Sequence, residues 1–144
     1  MNGSASVPVW QSIATIVGRL IFAGLFIMAA SFKFGGIDGT AAYIASAGFP
    51  ASLFLAWVAA IFESLLALAF LSGAFFCEAS LLAAVYVLFL AIAFHGPSHW
   101  TNQSEFGAFI SHFPFAAGLL FAAVHGPGTV LALRHTIIGR PRQP

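Results

Sequence analysis

Residues 52–73 read SLFLAWVAAIFESLLALAFLSG, an apolar run broken near its middle by one carboxylate, Glu63. About 20 apolar residues suffice for a helix to cross the ~30 Å hydrocarbon layer of a bilayer. The run therefore predicts a transmembrane helix. A carboxylate at such depth costs roughly 2.5–3.5 kcal/mol on insertion scales, so it is expected to face other helices or a cavity, and to pair. Any function local to this chain is expected near Glu63.

A second run, Ile13–Phe34, carries Arg19 about two turns in and Lys33 at its far end. Composition points the same way. Of 144 residues, 60% are hydrophobic and 6% charged, with a mean hydropathy of +0.98. Soluble domains carry about 25% charged residues, so these side chains could not build a water-facing surface. A formal net charge of +1, with no Arg/Lys cluster interleaved with aromatics, gives no footprint for nucleic acid. The one cysteine, Cys77, allows neither an intrachain disulfide nor a cysteine-based metal pair.

Charge-free intervals divide the chain into four predicted spans, about Ile13–Phe34, Ser52–Gly73, Cys77–Phe94 and Phe106–His125. They are apolar all round, which fits an all-α four-helix membrane bundle and not a soluble one. The connections carry breakers: Gly35-Gly36-Ile37-Asp38-Gly39, Gly48-Phe49-Pro50, His95-Gly96-Pro97-Ser98, and Gly126-Pro127-Gly128 before a polar tail. The first span is expected to be retained, because the eighteen residues before Arg19 exceed a signal peptide's usual basic region. Arg134, Arg140 and Arg142 lie in the tail while the third connection has no Lys or Arg, which predicts both chain ends in the cytoplasm. Trp10, Trp57 and Trp100 fall near predicted helix ends, where an aromatic belt would lie.

At about 100° per residue, Arg19, Ala23, Phe26, Ala30 and Lys33 share one stripe of the first helix. Ala56, Ala59, Ala60, Glu63 and Ala67 share a similar stripe of the second. Small residues let helices approach closely in lipid, so the two stripes are expected to meet. If the helices are antiparallel neighbours, Arg19 and Glu63 lie at similar depths and are expected to pair, bidentately. Two readings of that pair stay open, a structural ion pair that fixes register and a ligand or proton-relay site.

His95, His99, Glu105 and His112 gather toward one face, but their spacing matches no known ligand pattern, and no metal is expected. His112, one turn into the last helix and two residues before Pro114, could donate a hydrogen bond to a carbonyl as a neutral imidazole and is a candidate. Walker, dinucleotide-binding, HExxH and serine-elbow motifs are missing, so no catalytic residue is assigned. The ligand or relay candidates are Arg19, Lys33, Glu63 and His112.

Gly18-Arg19-Leu20-Ile21-Phe22-Ala23-Gly24-Leu25-Phe26-Ile27, followed by Lys33-Phe34, resembles the opening of the DoxX family. So do Tyr43-Ile44-Ala45-Ser46-Ala47-Gly48-Phe49-Pro50, Phe62-Glu63, Leu71-Ser72-Gly73 and Gly126-Pro127-Gly128. Phe76-Cys77-Glu78, Leu131 and Leu133 depart from the family pattern. The resemblance implies a multi-pass protein of the bacterial inner membrane, from a clan that includes quinone-linked redox proteins. It implies an accessory or quinone-facing subunit, with a protein partner or homo-oligomer, and not a stand-alone enzyme. A quinone head group would then lie between Lys33, Glu63 and His112, walled by Phe26, Phe109 and Phe115. The different-class alternative is a small transporter or proton-conducting channel lined by Glu63 and Arg19.

Overall fold

The computed structural model describes residues 7–133 and 135–138. Arg134, Arg140 and Arg142, on which the orientation reading rests, lie outside those residues. Five α-helices follow in order: α1 Val9–Gly35, α2 Ile37–Ser46, α3 Ser52–Ser72, α4 Phe76–His95 and α5 Gln103–His125. A single 3-10 turn, Pro97–His99, precedes α5. Four of the helices, α1, α3, α4 and α5, are long and apolar enough to cross a membrane. They form an all-helical bundle, and the described residues contain no strand. The protein is a multi-pass membrane protein in contact with the lipid bilayer.

Local chemistry sets the helix ends. Pro8 precedes α1, and the Gly35-Gly36 pair ends it, with the Gly36 amide donating to the Lys33 carbonyl. Gly73 closes α3 in the left-handed region at φ 74°, its amide 2.8 Å from the Ala69 carbonyl. That conformation suits glycine. Asn102 caps α5 by accepting from the Glu105 amide at 3.0 Å, and the Glu105 carboxylate sits in the first turn, where the helix dipole favours a negative charge.

Consecutive spans run antiparallel. Phe34 meets Trp57 at one end of the α1–α3 pair, with ring centroids 5.9 Å apart, and Arg19 reaches the Phe70 carbonyl at the other. Alanines 23, 30, 56, 60, 67, 83, 84 and 91 are buried along the seams, which permits close approach without large side chains. The buried face of α1 is Arg19, Ala23, Phe26 and Ala30, the stripe expected from the sequence. Phenylalanines fill the Arg19 half of the core. Phe70 packs on Phe22, Phe26 and Phe76 at 5.4, 5.7 and 5.4 Å, and Phe115 of α5 stacks on Phe22 at 5.8 Å. Outside, Leu20, Ile21, Leu68, Leu82, Val85 and Phe121 project away from the bundle. Such a surface belongs in lipid.

The structure corrects the first connection. Residues 37–46, expected as loop, form α2, which buries Ala41 and Ile44 against Ala56 and Phe94. The helix is ten residues long, and isolated helices of that length are marginal in water. Its stability comes from packing against α3 and the end of α4. Ile37, Ala41 and Ile44 at i, i+4 and i+7, with Asp38 in the first turn, were the available sequence signal.

Candidate functional site

Glu63 projects from the middle of α3 and is 2% exposed. Lys33 Nζ of α1 donates to both carboxylate oxygens, each at 2.8 Å. The Tyr86 hydroxyl of α4 donates to Oε1, also at 2.8 Å. One buried carboxylate thus joins three helices. A helical side chain leans toward the N-terminus of its own helix. Because α1 and α3 are antiparallel, Lys33 and Glu63 lean toward one another across the seam. Lys33 therefore turns inward, with its side chain 22% exposed.

The same rule removes the expected Arg19–Glu63 pair. Arg19 leans toward the start of α1, away from the level to which Glu63 leans. It lies fourteen residues before Lys33, which is about 21 Å along the axis at ~1.5 Å per residue. Its partners are all backbone carbonyls. Nε donates to Phe70 at 3.1 Å. Nη2 donates to Leu71 at 2.6 Å and Leu131 at 2.8 Å. Nη1 donates to Val130 at 3.1 Å and, more weakly, to Pro127 at 3.5 Å. A guanidinium carries five N–H donors, and all are occupied. Phe70 and Leu71 lie in the last turn of α3, whose free carbonyls and dipole favour a cation. Arg19 is a staple between that helix end and the segment after α5.

A cavity of about 790 Å³ opens beside the Lys33–Glu63–Tyr86 group. Its walls come from all five helices and are mostly apolar, with Phe32, Phe49, Phe62, Phe89 and Phe94 among them. Lys33 and Tyr86, both bonded to Glu63, belong to the wall, as do Tyr43, His95 and His112. Burial, and to a smaller extent the Glu105 carboxylate, push the Tyr43 phenol above its ordinary value, so it remains a neutral hydroxyl. His112 Nδ1 is 2.6 Å from the Ala108 carbonyl. A carbonyl only accepts, so Nδ1 carries a proton, and in the tautomer protonated there alone Nε2 is left as an acceptor. The His95 ring lies 5.2 Å from that of His112, and its Nδ1 is 3.3 Å from Glu105 Oε2.

Of the four sequence candidates, Lys33 and His112 therefore reach the cavity and Glu63 stands directly behind it. Arg19 is at the opposite end. The expected phenylalanine walls also change. Phe26 and Phe115 pack in the core, and Phe109 packs on Trp100 and Phe113 at 5.2 and 5.0 Å. Tyr86 is the residue that sequence reasoning missed. The signal was present, since the chain has two tyrosines and Tyr86 alone interrupts an apolar span with a phenol. Among the described residues, no three of His, Cys, Asp and Glu are placed to hold a metal ion.

Fold and site together define a four-span α-helical membrane protein with an aromatic-walled cavity backed by a buried ion pair. The DoxX family model matches residues 14–96, more than half of the 144-residue chain, and the chain belongs to the DoxX family. The match covers nearly all of α1 and runs through α2, α3 and α4, so it includes Arg19, Lys33, Glu63 and Tyr86, whereas His112 on α5 lies beyond it. No curated protein and no solved structure matches the chain.

Proposed function

We propose that the protein holds a quinone in this cavity, as a non-catalytic, quinone-facing subunit of a redox complex in the bacterial inner membrane. The observation that carries the reading is the cavity itself, a space of about 790 Å³ with apolar walls and a few converging polar groups. Ligand sites have that volume and that composition. An ammonium has three N–H donors, and Glu63 takes two from Lys33, so the third is free to meet a quinone carbonyl. His112 Nε2 can accept from the hydroxyl of the reduced form. Flat aromatic walls suit a quinone ring, and the ring's redox chemistry would be supplied by a partner enzyme. In the proposed orientation both chain ends lie in the cytoplasm, as the excess of arginine in the tail over the third connection supports, and the cavity lies in the outer half of the bundle. A transport pathway through Glu63 and Arg19 gains no support, because Phe22, Phe26, Phe70 and Phe115 occupy the core between them.

The test is quinone content after reconstitution into nanodiscs with added ubiquinone or menaquinone. Wild-type protein is expected to retain quinone through washing, and His112→Phe, which keeps the bulk and removes the acceptor, to retain several-fold less. Equal retention by the two proteins, or none by wild type, would overturn the reading.

A further inference from the structure

Among the described residues the chain beyond α5 is not helical, yet its backbone is bonded at several points to the Arg19 end of the bundle. Arg19 holds the Pro127, Val130 and Leu131 carbonyls. The Leu133 amide donates to the Ser72 carbonyl at 2.9 Å, and the His135 carbonyl accepts from the Phe75 amide at 2.6 Å. Glu78 Oε1 accepts from the Thr136 hydroxyl at 2.7 Å, from the Ile138 amide at 2.9 Å, and from the Ile137 amide. Ala132 rests on Gly73, where a Cβ would come within 2.8 Å of the alanine's own Cβ.

The side chains do the opposite of what such fastening would serve in water. Leu131, Leu133, Ile137 and Ile138 point away from the bundle, and Leu133 and Ile137 are 63% and 81% exposed. Irregular backbone is tolerated at membrane depth only where its polar groups are satisfied by protein. Here Arg19, Ser72, Phe75 and Glu78 satisfy part of the backbone, the remaining groups need the water of the headgroup boundary, and four large aliphatic side chains face outward.

We propose that residues 129–133 and 135–138 form an interfacial strap, lying in the headgroup–acyl boundary of the same bilayer with their aliphatic side chains in lipid. Its occupant is lipid because the strap continues the apolar outer surface of the helices it is bonded to, with Leu131, Leu133, Ile137 and Ile138 exposed along it.

Single cysteines at Leu133 and Ile137, in a full-length Cys77→Ala background, can carry an environment-sensitive fluorophore. Val85→Cys on the outer face of α4 serves as the lipid reference, and Ser98→Cys in the 3-10 turn as the water reference. Each is placed in vesicles of phosphatidylethanolamine and phosphatidylglycerol, with and without lipid bearing a nitroxide high on the acyl chain. Labels at both strap positions are expected to lose more emission to the nitroxide lipid, and less to aqueous iodide, than the label at Ser98. Iodide quenching equal to that at Ser98 would put the strap in water and overturn the proposal. Protection from both quenchers would mean that protein covers it, and would overturn it equally.

Discussion

Lys33 and Glu63 meet because their side chains lean toward each other, and Arg19 leans the other way, so energetic coupling should follow direction and not depth. Removing one partner of a buried pair costs about 3–5 kcal/mol, since the other charge is left alone. Lys33→Met and Glu63→Gln should each lower the stability of the detergent-solubilised protein by an amount of that order. The double variant should lose less than the sum, by at least about 1 kcal/mol, as contacting residues do. Arg19→Ala combined with Glu63→Gln should be additive within about 0.5 kcal/mol, as separated sites are. A reversed pattern in denaturant titration, with Arg19 coupled and Lys33 not, would refute the assignment. At this scale the sequence revealed that Arg19, Lys33 and Glu63 are turned into the bundle, because ionisable groups in apolar runs have few alternatives. It did not reveal their partners. Helical angle and depth omit the lean of the side chain, and carbonyl partners such as those of Phe70 and Leu131 have no signature in residue type.

The four long helices were legible because each is a span-length apolar run bounded by glycine, proline or charge, and their ends agree with the expected ones to within four residues. The short helix α2 was not legible, since glycines flank it and its reason for existing is the surface of α3 and Phe94. Element ends also carry the clearest stability prediction. Gly73 ends α3 at φ 74° and lies under Ala132, and a Cβ added there would come within 3.3 Å of Arg19 Nη2. Gly73→Ala would force an L side chain into a left-handed conformation, at roughly 1–2 kcal/mol, and would also press on the strap. A thermal unfolding midpoint several degrees lower is expected, together with faster protease cleavage after α5. An unchanged midpoint would show that the helix end and strap can separate freely.

Taken whole, the molecule is polarised between a cavity end, where Lys33, Tyr86 and His112 converge, and a fastened end, where Arg19 and Glu78 grip the backbone. The cavity was only partly legible in the sequence, since its size depends on where α2 and α5 sit against α1, and no local pattern encodes that. The fastened end has a consequence in time. Arg19 shares bonds with residues 51 and 52 positions later, and with others 108, 111 and 112 positions later. During synthesis, therefore, the first helix enters the bilayer carrying a cation whose last acceptors have yet to be translated. Until residues 127–131 emerge, two of its donors on Nη1 and one on Nη2 lack their final partners, and the newborn chain remains a substrate for membrane proteases. A chain stopped after Gly126 should accordingly accumulate to a small fraction of the full-length level in pulse-chase labelling, although it contains every membrane-spanning helix. Equal half-lives would contradict this. Emergence of residues 127–131, and not insertion of the last helix, is the moment at which this fold is sealed.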